Sequence, residues 1–200
     1  MFRYGFKRML LMVPILLCSV IGLAIILNRL LVYRKMKLRD FRLSLDVRGA
    51  LEKGDIDAAL TLLETGTAAS VILGEVFVRA REQGIATVSG SFLTVADDFV
   101  RSMERYLRGL ATIASLAPLL GLLGTVIGMI RAFIQIETHG GNVNASLLAG
   151  GIWEALLTTA AGLSVAIPCL LFFNLFQGKV AWVESQLVSL DKELRDVTAG

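Results

Sequence analysis

The chain contains three uncharged apolar runs, and each is long enough to cross a membrane as a helix. The runs are Met9–Leu27, Leu110–Ile130 and Ala155–Phe176. A bilayer core of about 30 Å takes roughly 20 residues of α-helix. Because 55% of the 200 residues are hydrophobic, the composition is also typical of a membrane protein. We therefore predict an all-α integral membrane protein with three transmembrane helices.

The first run has basic residues on both sides. Those before it, within positions 1–8, also occur in secretory signals. The apolar part of a signal is shorter, about 7–15 residues, and ends in small residues. This run continues to Leu27 and then meets Arg34 and Lys35, which is a stop-transfer pattern. We expect a retained membrane anchor, and a cleaved signal is the less favoured alternative.

The distribution of lysine and arginine predicts how the chain is oriented. Basic residues gather at both ends of the segment between the first two runs: Arg34, Lys35, Lys37, Arg39, Arg42 and Arg48, then Arg101, Arg105 and Arg108. The loop before the third run has only Arg131. Because cytoplasmic segments carry the excess of basic residues, this segment and the C-terminal tail are predicted to be cytoplasmic. The predicted division is 1–8 outside, 9–31 first span, 32–108 cytoplasmic helical segment, 109–131 second span, 132–153 periplasmic loop, 154–177 third span and 178–200 cytoplasmic helical tail.

Several helices are predicted between the first two spans. The segment 32–108 contains no proline and has helical periodicity, which indicates folded helices rather than a disordered linker. Gly54 and Asp55 predict a turn and an N-cap that opens one helix. Another is predicted at Ala68–Arg81, and Gly84 is expected to end it.

The second and third spans are both predicted to extend as helices into a cytoplasmic bundle. Apolar positions from Phe92 onward recur at intervals of three and four into the second span, which predicts one continuous helix. The tail has the same spacing at Phe173, Phe176, Val180, Val183, Leu187, Leu190 and Leu194. Two apolar positions per heptad form the seam of a helix that packs on other helices, so we expect the third helix to reach Asp196. A helix lying on the membrane surface is disfavoured because the stripe is narrow.

Small residues recur on one face of each of the last two spans. They are Ala117, Gly121, Gly124, Thr125 and Gly128 on the second span, and Ala155, Thr158, Thr159, Gly162 and Ala166 on the third. Small side chains let helix backbones approach closely, and threonine hydroxyls bond across such interfaces. We expect the two faces to pack together. The simplest interpretation is that both rows of small residues serve this packing alone. Pro168 is expected to kink the third helix.

Two features favour a role beyond packing. Leucine would pack better than the hydroxyl side chains of Thr125, Thr158 and Thr159. Glu154 stands at the start of the third span, within about one turn of two of these threonines. A carboxylate near hydrocarbon is costly and by default marks a functional or water-filled site. The alternative is a capping carboxylate at headgroup level, where the positive end of the helix favours it.

The chain has no pattern typical of an enzyme or a metal site. Cys18 and Cys169 lie in apolar runs without metal-ligand spacing, so buried thiols are the better interpretation. We predict no catalytic residue, metal or cofactor, and the net charge of +3 gives no reason to expect nucleic acid. The three apolar runs also contain no Asp, Glu, Lys, Arg or His. Because proton transport usually needs a titratable group near mid-membrane, the chain is either a passive scaffold or depends on a partner for that group.

Two blocks of this sequence resemble the MotA/TolQ/ExbB proton-channel family. The first block is Leu119–Ile130, with its glycines and Thr125, and the second is Gly151–Leu163, with Glu154 and the threonine pair. The likeness continues through Ala166-Ile167-Pro168 and Asn174. The three-span layout is similar to that of the ExbB and TolQ branch.

The resemblance implies a specific assembly and specific site residues. It implies a homo-pentamer in the bacterial inner membrane around a single-span ExbD- or TolR-like partner, whose intramembrane aspartate carries the proton. The second and third helices would line the pore, with Thr125 and Thr159 facing it and Glu154 at its mouth. We add the adjacent Thr158 to this pathway, although Thr158 and Trp153 stand where family members often have alanine.

The predicted function is that of a proton-channel and stator subunit in the lipid bilayer. With its partner, the chain would use the proton motive force to energise an envelope process, such as outer-membrane transport through a TonB-like protein. The alternative is a non-conducting scaffold whose small-residue faces only hold a partner helix. A transporter acting alone is disfavoured, because such proteins generally have repeated halves and more spans.

Overall fold

The computed structural model describes residues 2–35, 44–63, 67–84, 88–138 and 145–198, and its regular elements are α-helices. They are α1 (Phe2–Lys35), α2 (Leu45–Glu52), α3 (Ile56–Thr61), α4 (Ala68–Gln83), α5 (Val88–Glu104), α6 (Leu107–Thr138) and α7 (Ala145–Thr198). The all-α prediction is therefore confirmed. Three of the basic residues used to predict the orientation, Lys37, Arg39 and Arg42, lie outside the described residues, as do positions 139–144 of the predicted loop.

Three stretches of helix are long and apolar enough to cross a membrane. They are Met12–Arg34, a window within Gly90–Thr138 and a window within Ala149–Val197. This confirms the prediction of three transmembrane helices. The helices themselves run well past the predicted span limits, since α6 ends only at Thr138 and α7 already begins at Ala145.

The chain forms two compact units. The first comprises residues 1–27 and 106–175 and is called the transmembrane unit below. The second unit comprises residues 28–105 and 176–200. The first unit is made of three helices: the first part of α1, all of α6 and the first part of α7.

Local caps set the helix limits within the second unit. Gly54 has a φ of +72°, which glycine adopts readily, and it turns the chain between α2 and α3. A carboxylate oxygen of Asp55 then accepts a hydrogen bond of 2.9 Å from the backbone N–H of Ala58, so Asp55 caps α3 as predicted. Gly84, with a φ of +95°, ends α4. The predicted helix Ala68–Arg81 is confirmed and is two residues longer.

The continuous helix predicted from Phe92 into the second span is interrupted. α5 ends at Glu104 and α6 begins at Leu107, with a turn at Arg105 and Tyr106. Two side chains of α1 donate hydrogen bonds to backbone carbonyls in the last turn of α5. The last carbonyls of a helix have no partners within the helix itself. These donors help to stabilise the C-terminal end of α5. The apolar spacing of the sequence did not indicate that a helix ends there.

The third long helix continues without interruption through its tail. α7 is one helix of 54 residues, and it passes Asp196 as the heptad spacing predicted. The predicted seam residues Val183, Leu187, Leu190 and Leu194 are buried in the second unit. Phe176 meets the ring of Tyr33 edge-on, with ring centres 5.2 Å apart. Pro168 lies inside α7, and the kink expected there stays a prediction.

Candidate functional site

α6 and α7 pack against each other in the transmembrane unit through their small residues. We call this contact the small-residue seam: Ala117, Gly121, Gly124 and Gly128 on α6, with Ala155, Thr158, Thr159 and Gly162 on α7. Gly128 lies against Ala155, Gly124 against Thr158, and Gly121 against Thr159 and Gly162. Positions on α6 fall as those on α7 rise, so the two helices are antiparallel. Ala166, one turn past Gly162, is also buried.

The seam is too close for larger side chains at its glycines. A methyl group placed on Gly162 would lie 2.5 Å from the carbonyl oxygen of Ala117. One on Gly121 would lie 3.0 Å from Cα of Thr159, and one on Gly128 would lie 2.8 Å from Cβ of Ala155. Because backbone atoms are among these neighbours, a side chain could enter only if the helices moved apart. The glycines thus set the distance between α6 and α7.

One hydroxyl bonds directly across this seam. Thr159 Oγ1 donates to the backbone carbonyl oxygen of Gly121 over 3.0 Å. Thr125 lies one helical turn after Gly121 on α6, and its hydroxyl donates to the carbonyl of Leu122 over 2.7 Å. Both threonines are half-buried. The structure therefore places the Thr159 hydroxyl across the seam and the Thr125 hydroxyl on α6 itself, and each donates to a backbone carbonyl.

Thr158 has a different environment from its neighbour. Its side chain is only 6% exposed and lies against Gly124 inside the seam. Its hydroxyl donates to the backbone carbonyl of Glu154 over 2.9 Å. Within this chain Thr158 is therefore a packing residue, and it does not share the half-open surroundings of Thr159. Glu154 is half-buried one turn earlier on α7.

α1 packs against the other two spans at a glycine to which sequence analysis gave no role. A methyl group on Gly22 would lie 2.8 Å from Cys169 Sγ on α7 and 3.7 Å from Ile113 Cγ2 on α6. Cys169 is buried, as expected from its apolar surroundings, whereas Cys18, for which the same was expected, is only half-buried. In the sequence, only the presence of a glycine within the first apolar run indicated this contact. Nothing in the sequence indicated that Cys169 is the residue that it contacts.

The described residues include no group of three or more His, Cys, Asp or Glu side chains that could hold a metal ion. The polar side-chain groups at the seam are instead the threonine hydroxyls, which lie among apolar side chains. Large apolar side chains are exposed elsewhere on α6, including Leu116, Leu119 and Leu123. Threonine hydroxyls can form hydrogen bonds between helices, whereas the exposed leucines suit lipid or neighbouring helices.

Comparison with known proteins agrees with these features. Residues 78–188, which include the whole small-residue seam, match the sequence profile of the MotA/TolQ/ExbB proton channel family. The chain belongs to this family. The family consists of proton channels rather than enzymes, as the lack of an enzyme-like pattern predicted. Membership and the three spanning helices together identify an integral protein of the inner membrane.

The similar proteins belong to the ExbB branch of this family. A biopolymer transport protein of Synechocystis, ExbB-like 1, is 35% identical over 168 residues, which cover 82% of this chain and 65% of that protein. The Synechocystis ExbB-like 3 protein is 33% identical over 170 residues, or 82% of this chain and 79% of the relative. The biopolymer transport protein ExbB of Pseudomonas putida is 42% identical over 87 residues, 44% of this chain and 26% of the relative. The chain thus spans just under two thirds of the first of these proteins.

Proposed function

We propose that the chain is the proton-channel and stator subunit of an inner-membrane complex. Its partner would be a single-span, ExbD- or TolR-like protein with one aspartate in the membrane. The complex would use the proton motive force to energise an envelope process, such as TonB-dependent transport across the outer membrane. Several copies, most simply a homo-pentamer, would surround the partner helix, since a head-to-tail interface that closes forms a ring.

One observation carries this proposal: the Thr159 hydroxyl bonds across the seam to Gly121, and Thr125 lies one turn after Gly121 on the facing helix, in helices whose apolar runs have no charged side chain. A carboxyl group in hydrocarbon is expensive unless polar groups surround it. Two threonine oxygens at the seam would lower that cost for a carboxyl carried by another helix. The chain supplies the polar wall and lacks the proton carrier, so the partner has to provide it.

The remaining predicted residues complete the proposed pathway. Glu154, half-buried at the start of the third predicted span, would attract protons at the outer mouth of the pore. The excess of basic residues supports a cytoplasmic position for 32–108 and the tail, with the N-terminus in the periplasm. A proton crossing a potential of ~150 mV then releases roughly 3–4 kcal/mol. That energy is enough to change how the partner helix sits in the ring.

Proton flux through reconstituted complex tests the proposal. The chain is first purified from its host membrane, and a co-purifying single-span protein with an intramembrane aspartate is expected. Flux into proteoliposomes is then measured under an imposed potential for the wild type, Thr159→Val and Glu154→Gln. Thr112→Val is the matched control, since Thr112 is an exposed hydroxyl residue near the start of α6, bonded to its own helix at Arg108. We expect flux to fall at least several-fold in the first two variants and to persist in the control.

A non-conducting scaffold remains the second candidate. The observation in its favour is the seam itself, because close packing of α6 and α7 needs no proton pathway. A complex that retains the partner but conducts no protons would support the scaffold and would refute the channel. Unchanged flux in both Thr159→Val and Glu154→Gln would equally remove these residues from the pathway.

A further inference from the structure

Two serines of the transmembrane unit point away from the small-residue seam. Ser115 on α6 lies nine positions before Gly124, and Ser164 on α7 lies nine positions after Ala155. Nine residues make about two and a half helical turns, so each serine is about half a revolution from its seam residue. Both serines are exposed, and each hydroxyl donates to the backbone carbonyl four positions earlier in its own helix. The two hydroxyls therefore lie on opposite outer faces of the α6–α7 pair.

The two serines also lie at the same depth in the membrane. Gly162 on α7 lies against the carbonyl of Ala117 on α6. Ser115 is two positions before Ala117, and Ser164 is two positions after Gly162. Because α6 and α7 are antiparallel, both steps run in the same direction along the membrane normal. Rotation about an axis along that normal keeps each residue at its depth, so Ser115 of one copy is level with Ser164 of the next copy in a ring.

Pro168 leaves a hydrogen-bond acceptor on the outer face of α7. Proline has no backbone N–H, so the carbonyl of Ser164, four positions earlier, lacks its usual helical donor. Among the described residues, no side chain donates to this carbonyl. Lipid tails have no donor to offer, and such carbonyls in membranes are satisfied by neighbouring helices, hydroxyl side chains or water. The equivalent position on α6, Ala114 four residues before Pro118, is buried within the chain.

We propose that the Ser115 hydroxyl of one copy donates a hydrogen bond to the Ser164 carbonyl of the next copy, and that this contact joins the copies into a ring. The inference rests on the proposed function and specifies which surfaces of the chain form its ring. The partner on each face is thus a second copy of this chain. Because the donor and the acceptor lie on opposite faces of the helix pair, the contact is head-to-tail, and a head-to-tail contact can close into a ring.

The proposed bond needs only a rotation of the Ser115 hydroxyl group. The present acceptor of that hydroxyl is the carbonyl of Ala111, which also accepts the helical bond from the N–H of Ser115. This carbonyl therefore keeps a donor when the hydroxyl turns away, whereas the Ser164 carbonyl gains one. Large side chains beside the two serines are exposed in the single chain and would be covered by the same contact: Leu119 on α6 and Leu171 on α7.

Cysteine cross-linking in the host membrane tests which faces meet. Ser115→Cys and Ser164→Cys are combined in the full chain, and the membranes are oxidised with copper phenanthroline before a non-reducing gel. We expect a ladder of covalent multiples, because each copy offers both partners. A disulfide needs Cα atoms within about 7 Å. Leu116→Cys with Ser164→Cys is the matched control, because Leu116 is about 100° away around α6, and it should stay monomeric. Each single variant, which also contains Cys18 and Cys169, should stay monomeric too.

The hydrogen bond itself is tested by the exchange of copies between differently labelled complexes in detergent, followed by fluorescence energy transfer. Ser115→Ala should quicken exchange roughly three- to eight-fold, from the usual strength of a bond between membrane helices and the two contacts that a leaving copy breaks. Ser164→Ala keeps the backbone carbonyl and should exchange at the wild-type rate. Pro168→Ala restores a helical N–H for that carbonyl, so adding Ser115→Ala in this background should change the rate little.

Three outcomes would overturn the inference while complexes of several copies and proton flux persist, which keeps the proposed function. They are the absence of a ladder from the double variant, an equal ladder from the Leu116→Cys control, and dimers from Ser164→Cys alone, which would mean that two α7 faces pair with each other. Exchange that quickens in Ser164→Ala and not in Ser115→Ala would overturn the assigned donor and acceptor. Single copies that neither assemble nor conduct protons would reject the inference and the proposed function together.

Discussion

Arg29 donates a hydrogen bond of 2.9 Å to the backbone carbonyl oxygen of Ser102, 73 residues later in the chain. Ser102 lies in the last turn of α5, where the helix has carbonyls without partners of its own and a partial negative charge. A cation is favoured at such an end. The hydroxyl of Tyr33, one turn after Arg29, donates to the next carbonyl, that of Met103, over 3.3 Å. Together they tie the end of α1 to the end of α5.

Removing the guanidinium should therefore weaken the second unit. Arg29 is only 5% exposed, so Arg29→Met loses a charged hydrogen bond from a water-poor site. We expect the free energy of unfolding to fall by about 1.5–3 kcal/mol, measured by thermal or denaturant unfolding in detergent. Arg48→Met is the matched control, because Arg48 pairs with Glu52 on an exposed helix surface. Such pairs contribute at most ~0.5 kcal/mol, and equal losses in the two variants would contradict the capping role.

The closest approach to backbone atoms in the small-residue seam gives a second prediction. Gly162→Ala would place a methyl group 2.5 Å from the Ala117 carbonyl oxygen, so α6 and α7 would have to separate. We expect a loss of about 1–3 kcal/mol, seen as a lower unfolding temperature of the detergent-solubilised chain. Gly178→Ala, on the same helix, meets no atom within 4 Å. The free energy of unfolding of that control should stay the same or rise by up to ~1 kcal/mol, because alanine is the better helix former. If Gly178→Ala were destabilised and Gly162→Ala were not, the close approach of α6 and α7 would be refuted.

The contact between α1 and α7 can be tested as a pair. Gly22→Ala would meet Cys169 Sγ at 2.8 Å, and Cys169→Ala would remove that sulfur. Each single variant should be destabilised, the first by overpacking and the second by a small cavity. In the double variant the new methyl group occupies the space of the sulfur, so its loss should be smaller than the two single losses added together. The expected coupling is at least ~0.5 kcal/mol, and simple additivity would show that the residues do not touch.

Sequence patterns predicted the features of this fold that depend on neighbouring residues. Gly54 and Asp55 indicated a turn and a cap because their backbone and side-chain preferences act within a few residues. The tail of α7 was predictable as far as Asp196 because its apolar residues repeat at helical spacing over several turns. Three uncharged runs likewise sufficed for the membrane spans, since bilayer thickness fixes the length of helix required.

The packing of the two small-residue faces was predictable, but the particular contacts between other distant residues were not. Apolar periodicity continues through Arg105 and Tyr106, and nothing in it indicates that Arg29 and Tyr33 reach the end of α5. The two adjacent threonines of α7 also look alike in sequence. Only the position of Gly124 on the facing helix separates Thr158, packed inside the seam, from Thr159, whose hydroxyl bonds across it. Such distinctions depend on the register of two helices and not on either helix alone.

The capping box that opens α4 gives a last prediction. Thr67 Oγ1 accepts from the backbone N–H of Ser70 at 3.0 Å, and Ser70 Oγ accepts from the N–H of Thr67 at 3.2 Å. Thr67→Ala leaves the Ser70 N–H without its side-chain acceptor, which costs about 1 kcal/mol. Hydrogen exchange of the first-turn amides of α4 should therefore quicken roughly five-fold, since 1.4 kcal/mol corresponds to a factor of ten.

Thr61→Ala makes the same chemical change at a site without a cap. The Thr61 hydroxyl donates to the carbonyl of Ala58 on an exposed surface at the end of α3, and alanine is the better helix former there. Exchange in α4 should stay at the wild-type rate in this control. Faster exchange in both variants would mean that general loosening of the second unit, and not the cap at Thr67, controls the start of α4.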